Sequence, residues 1–377
     1  MRASAVTMNW SPQQDAAIKA VRAWLADPSG PQIFRLFGYA GTGKTTLAKE
    51  MSNAVKGTVL YATFTGKAAL VLRKKGCDDA STIHSLIYKV EVDPETGEAS
   101  FILNPESALS DVALLIVDEV SMVPEILARD LMSYGKRILV LGDPAQLPPI
   151  DGEGFFINAE PDIMLTEVHR QASENPIIRM SMDIREGKRL HLGTYGESRV
   201  IRKAMQRDVI ESDQLICGLN RSRVTFNRKI RTLKGLIDES DPYRPSVGDR
   251  LICLRNKHDE GLFNGGLWEA QEIDVDHRKF GDPFYRIKVA SLDEERDPQS
   301  VRVLPHYFEG TERDLHWKER RDYHEFTFGW AITCHKAQGS SWHNPIIFDE
   351  SGVFREHAQN WLYTAITRAE ERVTVVL

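Results

Sequence analysis

The apolar run Ile33 to Phe37 opens into Gly38-Tyr39-Ala40-Gly41-Thr42-Gly43-Lys44-Thr45-Thr46, and a helix-prone segment follows at once. Nothing else in the chain restricts the fold as much. Strand, glycine-rich loop and helix N-terminus in that order gather backbone N–H groups and a favourable dipole around a polyphosphate. Gly38, Gly41 and Gly43 let the main chain approach phosphate oxygens. Thr42, Thr45 and Thr46 line the same cradle, Lys44 reaches the β and γ phosphates, and the Thr45 hydroxyl is a ligand for Mg²⁺. Such a loop needs a parallel sheet behind it. Thr58 to Thr63, Val112 to Val117 and Ile138 to Leu141 read as further strands buried on both faces. The second of these runs, ending Leu114-Leu115-Ile116-Val117, delivers Asp118 and Glu119 at its carboxyl end, where ligands bind in open parallel sheets. Asp118 is placed to hold Mg²⁺, and Glu119 to orient and deprotonate an attacking water.

With 377 residues, 42% of them hydrophobic, the chain can bury sizeable cores in two or three domains. Lys plus Arg number 48 against 54 Asp plus Glu, a net charge of −6, so a nucleic-acid partner must meet a local basic groove. No apolar run approaches the roughly 18 residues of a membrane span. Cys77, Cys217, Cys253 and Cys334 are far apart with no CxxC pair, which fits a reducing cytoplasm. The N-terminus carries no apolar core of signal-peptide length.

The expected organisation is α/β with two P-loop-type sheets. The first domain spans residues 1–160. It is interrupted at 86–108 by a hairpin whose arms, within Tyr88 to Leu103, flank the turn Asp93-Pro94-Glu95-Thr96-Gly97. The second sheet takes 161–244 and 323–377, with strands at Gln214 to Leu219, Phe326 to Ile332, Ile346 to Phe348 and Val373 to Leu377. Short strands separated by Gly, Asp and Pro over 245–322 predict a small all-β insertion. Asn220 to Lys234 contains Arg221, Arg223, Arg228, Lys229, Arg231 and Lys234 and no acid, a stripe suited to phosphates; a solvated basic helix explains it almost as well, and some of these residues must face the sheet or solvent. Asn220 and Arg221 sit at the predicted strand end.

An ordered series of motifs from Trp10 to Leu377 resembles superfamily 1 helicases of the 5′-to-3′ branch, the RecD- and Dda-like group. Ser11-Pro12-Gln13-Gln14 resembles an adenine-reading glutamine motif, with Gln14 the better aligned; a helix cap begun by Ser11-Pro12 explains it nearly as well. Ala62-Thr63-Phe64-Thr65-Gly66-Lys67 and Ser81-Thr82-Ile83-His84 are similar to elements that line the single-strand channel, implying DNA contacts by Thr63, Phe64, Thr65, Lys67 and His84. Leu141-Gly142-Asp143-Pro144-Ala145-Gln146-Leu147-Pro148-Pro149 resembles motif III, with Gln146 sensing the γ phosphate.

Leu165-Thr166-Glu167-Val168-His169-Arg170-Gln171 and Leu362-Tyr363-Thr364-Ala365-Ile366-Thr367-Arg368 resemble the motifs whose arginines, here Arg170 and Arg368, grip developing phosphate charge. Thr333, His335 and Lys336 in the motif V-like run would face DNA, with Gly339 toward the nucleotide; Ser341 and Trp342 stand where many relatives carry an acid. The hairpin occupies the place of the strand-separating pin, Phe101 being its stacking residue, and Val247-Gly248-Asp249-Arg250 and Phe263-Asn264-Gly265-Gly266 match an SH3-like insertion.

The resemblance implies an ATP- and Mg²⁺-dependent monomeric DNA motor, cytoplasmic in a bacterium or a phage-infected host. It would act on single-stranded and fork DNA, with replication or repair proteins as further partners. Two rivals stand beside it: a P-loop kinase for a small molecule, which leaves the downstream motifs unexplained, and an ATP-switched DNA-binding or recruitment protein that does not unwind.

Overall fold

Side chains along a strand point alternately to its two faces. Where both sets are apolar, the sheet must be covered on both sides. The computed structural model describes residues 10–92, 99–149, 152, 154–167, 174–277 and 283–377. It divides into two units, Met1–Phe64 with Ala68–Glu186 and Thr65–Lys67 with Gly187–Leu377.

The strands of the first unit are β1 (Ile33–Gly38), β2 (Thr58–Thr63), β3 (Ser81–Thr82), β4 (Tyr88–Val92), β5 (Ala99–Leu103), β6 (Val112–Asp118), β7 (Ile138–Gly142) and β8 (Ile163–Leu165). Six of them form a parallel sheet in the order β3-β2-β6-β7-β1-β8. Phe34 and Leu36 of β1 join Ile116 and Leu139 in a core shared with the helices Pro12–Ala26 and Lys44–Ser52. Ile33 and Phe37 join Val117 and Val140 on the other face, with the helices Ile83–Ile87 and Glu125–Met132. Each such fully buried side chain is worth about 1.5–3 kcal/mol, so the sheet is held from both sides. Ser11 and Gln14 close a reciprocal cap on the first helix, with Pro12 in its first turn.

The expected boundary at 160 is corrected by β8. Its three residues pair with Leu36, Phe37 and Gly38, and the first unit runs on to Glu186. The N–H groups of Thr166 and Glu167 both donate to Gln13 Oε1, at 2.8 and 2.9 Å, which fastens this segment to the first helix. β4 and β5 form the expected antiparallel hairpin; its turn lies within 93–98, outside the described residues. The Tyr134 hydroxyl lies 2.9 Å from Ile87 O and 2.8 Å from Asn104 O, bridging the hairpin's base.

In the second unit, β9 (Gly193–Tyr195), β10 (Ser198–Ile201) and β11 (Gln214–Cys217) come first. Then follow β12 (Arg250–Cys253), β13 (Leu267–His277), β14 (Pro283–Ser291), β15 (Gln299–Val303) and β16 (Phe326–Phe328), and finally β17 (Ala331–Thr333), β18 (Pro345–Phe348) and β19 (Thr374–Val376). One sheet runs β17-β11-β18-β19-β10-β9, parallel except for β9. The inserted sheet is antiparallel, in the order β15-β14-β13-β12-β16.

The predicted single strand Phe326 to Ile332 is two strands in two sheets, and the inserted sheet therefore extends past 322. The break falls at Gly329, where a Cβ would lie 3.0 Å from the Leu251 backbone. Periodicity cannot distinguish a continuous apolar run from two short ones that change partners.

The helix Asn220–Leu233 bridges the two sheets. Arg231, expected in the phosphate stripe, is instead buried: its Nε lies 3.0 Å from Asp249 Oδ1, its other nitrogens meet the carbonyls of Leu236, Pro242 and Arg244, and its guanidinium stacks 3.9 Å from the Phe328 ring centre. Asp249 also accepts from Trp330 Nε1 and Ser246 N. Removing one partner strands the other's charge in the interior. Arg231→Ala is therefore expected to lower unfolding free energy by about 3–5 kcal/mol. Urea denaturation checks this, and a loss below 1 kcal/mol would show the pair to be dispensable.

Candidate functional site

β1 ends at Gly38, where an added Cβ would lie 2.7 Å from Thr42 Oγ1 and 2.8 Å from Leu165 Cβ, so the loop can turn there only without a side chain. Gly41 and Gly43 adopt φ of 79° and 78°, a region that costs glycine nothing. Thr42 is fully buried and its hydroxyl donates to Tyr39 O at 2.8 Å. Lys44 Nζ donates to Gly38 O at 2.6 Å and to Tyr39 O at 3.1 Å, so the ammonium folds back over the loop it belongs to. Thr46 is exposed on the first helical turn. Gln14 lies beneath the loop: its Nε2 donates to Thr42 O at 3.1 Å while its Oε1 accepts from Ser11 N. The capping role weighed for Gln14 is thus formed, and the same side chain supports the phosphate loop.

β6 brings the carboxylates to this loop. Thr45 Oγ1 donates to Asp118 Oδ2 at 2.8 Å, and Asp118 Oδ1 accepts the Glu119 N–H at 2.8 Å. Burial, and then the neighbouring Glu119 charge, push the Asp118 carboxyl above its ordinary range, with the Thr45 hydrogen bond and Lys44 opposing. A hydroxyl and a carboxylate converging on one point are hard oxygen donors of the kind Mg²⁺ takes, so the residues present fit that ion. Glu119 is held in the left-handed region, φ 56° and ψ 48°, a conformation that costs a non-glycine residue of order 1–3 kcal/mol and concentrates at working sites. Gln146, almost fully buried after β7, accepts from Ser121 Oγ at 3.1 Å, which couples motif III to the segment behind Glu119.

Arg170 lies outside the described residues. Arg185 stacks its guanidinium 3.6 Å from the ring centre of Tyr39 in the phosphate loop; it lies 146 residues away in a segment with no local motif, so sequence reading missed it.

Thr63 is fully buried at the end of β2, in register with Asp118 and Thr82. Phe64, His84, Tyr88 and Phe101 form a ladder of rings with centres 6.0, 5.8 and 6.2 Å apart, running from the phosphate-side strand end to the hairpin. Burial lowers the His84 pKa. Phe101 is 65% exposed at the end of the ladder.

In the second unit, Thr65 is half-buried and Lys67 is ion-paired with Asp293. The expectation that both belong to residues 1–160 is corrected by this packing: Gly66 lies so close to Phe263 that a Cβ would sit 2.7 Å from its Cβ. Asn220 and Arg221 are exposed on the first turn after β11. Thr333 precedes the helical turn Cys334–Ala337, and burial lowers the His335 pKa. Lys336 Nζ donates to Asn264 Oδ1 at 2.8 Å, tying this turn to the Phe263-Asn264-Gly265-Gly266 phrase. Gly339 has φ 75°. Arg368 is 6% exposed, its guanidinium bonded to Thr364 O, Ser340 O and Thr367 Oγ1.

A phosphate loop at the head of one parallel sheet, two strand-end carboxylates and a second parallel sheet with an arginine behind its last helix define a two-sheet, RecA-like P-loop nucleotide-binding protein. Residues 9–206 match the family described as AAA domain, and residues 328–376 match the UvrD-like helicase C-terminal domain. The chain is 28% identical over 383 residues to the ATP-dependent RecD2 DNA helicase of Deinococcus radiodurans, covering 91% of this chain and 47% of that one. It is 24% identical over 377 residues to the ATP-dependent DNA helicase Pif1 of Bdellovibrio bacteriovorus, covering 88% and 80%. A solved structure of two coordinating Pif1 helicases at forked double-stranded DNA shares the fold, with TM-score 0.61, 20% identity, and coverage of 97% of this chain and 92% of that one.

The chain belongs to the AAA-domain family and is similar to the RecD2 and Pif1 helicases. It spans about half the length of the RecD2 relative. Among the described residues no helix is long and apolar enough to cross a membrane.

Proposed function

We propose that this chain is the motor core of an ATP-dependent DNA helicase that moves 5′ to 3′ along single-stranded DNA and opens duplex at forks, working as a monomer in a bacterial or phage-infected cytoplasm, alongside replication or repair proteins. The observation that carries the reading is the 2.8 Å meeting of Thr45 Oγ1 and Asp118 Oδ2 at the carboxyl edge of the first sheet, beside a glycine loop whose lysine lies over it.

In the proposed cycle, ATP enters against the loop and Gln14 contributes to its adenine end. Lys44 exchanges the Gly38 and Tyr39 carbonyls for phosphate oxygens. Thr45 and Asp118 would hold Mg²⁺, which supplies charge neutralisation between the β and γ phosphates. Glu119 orients the attacking water and takes its proton, and Gln146 reports the γ phosphate through Ser121. Arg170 and Arg368 complete the charge stabilisation on closure, with Gly339 near the nucleotide. Thr63, Phe64, Thr65 and His84, together with Asn220, Arg221, Thr333 and His335, line the strand's path. Lys67 and Lys336 join them by exchanging Asp293 and Asn264 for phosphate. The hairpin acts as the pin, with Phe101 at the junction, and the inserted sheet as the SH3-like grip.

The test is ATP turnover and strand displacement on duplexes carrying a 5′ or a 3′ single-stranded tail. Single strands should raise turnover at least tenfold, and only the 5′-tailed duplex should be opened. No stimulation by any oligonucleotide defeats the reading, displacement from 3′ tails reverses the polarity, and tight binding without displacement leaves the ATP-switched binder.

A further inference from the structure

The helix Asn220–Leu233, which presents Asn220 and Arg221, starts without help from its own sequence. Leu219 stands at its N-cap with no side-chain hydrogen bond, and its first turn contains no acid. The amides there find a partner 131 residues downstream. Glu350 Oε2 accepts from Gly218 N at 2.7 Å and Leu219 N at 3.0 Å, and Glu350 Oε1 accepts from the Ser222 hydroxyl. The approach is close enough to exclude a side chain at Gly218, whose Cβ would lie 2.9 Å from both Glu350 Cβ and Phe354 Cε2.

Glu350 begins a connector rather than a loop end. Ser351–His357 leads directly into the helix Ala358–Ile366, and Arg368 follows two residues later. Phe354 of the connector stacks on Trp361 of that helix, ring centres 5.8 Å apart at 20°, and Trp361 is wholly buried. His335 approaches Phe354 from the turn after β17, at 5.9 Å. Arg355 is held at φ 49° and ψ −114°, a strained joint between the Glu350 clamp and the Trp361 stack. A carboxylate that only needed to cap a helix could stand on the helix's own flank. This one stands at the head of the connector that leads into the arginine-bearing helix.

We propose that Glu350 is a positioning residue that transmits strand binding at the Asn220–Arg221 turn to Arg368 through the Ser351–His357 connector. The proposal rests on the helicase reading. Glu350 would contact neither polynucleotide nor nucleotide; it acts by fixing the two elements that do.

The test uses the full chain with Glu350→Ala, Glu350→Gln and Ser222→Ala. ATP turnover is measured with and without oligo-dT, together with the KM for ATP and the thermal midpoint. A coupling of ordinary size corresponds to roughly 5–150-fold. Glu350→Ala should therefore cut the ratio of stimulated to DNA-free turnover about tenfold, while DNA-free turnover and the KM for ATP stay within twofold. Glu350→Gln, which keeps an acceptor for one or both amides, should fall between, and Ser222→Ala should follow it.

An unchanged ratio in Glu350→Gln and Ser222→Ala overturns the proposal. So does a parallel fall of both rates with the thermal midpoint, which is the behaviour of a mere cap. Wild-type protein that oligo-dT fails to stimulate defeats the helicase reading itself, an outcome distinct from a stimulated wild type with equally stimulated variants.

Discussion

Lys44→Ala is expected to reduce ATP turnover by at least about a hundredfold to a thousandfold, the range seen when one preorganised donor is removed from a charge-developing site. The structure says why the loss falls on chemistry and not on folding. Lys44 Nζ is bonded to two neutral carbonyls, Gly38 O and Tyr39 O, and each such bond contributes only about 0.5–1.5 kcal/mol net. Truncation therefore costs little stability, because the loop's shape is set by glycine conformations and by Thr42, not by the lysine. In the presence of a triphosphate the same ammonium meets charge, where hydrogen bonds are roughly twice as strong. Phosphate release at saturating ATP, paired with a thermal melt, checks the expectation. A variant that keeps more than a tenth of wild-type turnover, or that melts many degrees early, would remove Lys44 from the role assigned to it.

What could be read in advance followed from how local each constraint is. The phosphate loop, the strand that feeds it and the carboxylates Asp118 and Glu119 are runs of adjacent residues, so pattern and spacing locate them within the chain. β8 was invisible for the opposite reason: three residues with no periodicity become a strand only because β1 has an open edge. Phe326 to Ile332 read as one strand because a single glycine, packed on the Leu251 backbone, is the whole signal that the chain changes sheets. The basic helix shows the same limit. Charge counting placed Arg231 with its neighbours on a phosphate-facing stripe, whereas Asp249, in the Val247-Gly248-Asp249-Arg250 phrase already noticed as distinctive, takes it into the core. Ser121 under Gln146, Arg185 on Tyr39 and Glu350 at Gly218 are partners across 25, 146 and 132 residues, and one sequence carries no mark of such pairings.

Arg368→Ala is expected to slow hydrolysis by about 10³ to 10⁵-fold, the contribution of an arginine finger, while leaving ATP affinity within a few-fold of wild type. The guanidinium is held by Thr364 O at 3.2 Å, Ser340 O at 3.3 Å and Thr367 Oγ1 at 3.3 Å. All three are longer than the 2.9–3.0 Å typical of N–H···O bonds, and none of these acceptors is charged. Phosphate oxygens offer shorter, charge-assisted and bidentate bonds, and on closure the guanidinium would exchange partners for them. Under the proposed cycle that exchange is completed only as charge develops on the transferring phosphoryl group, so it lowers the barrier without tightening ground-state binding. Arg368→Lys should recover little, since an ammonium restores the charge but not the planar fork. Single-turnover hydrolysis and titration with a fluorescent ATP analogue separate the two quantities. Should affinity fall in step with the rate, Arg368 would be a ground-state contact, and the closure that is meant to bring it to the phosphates would lose its catalytic purpose.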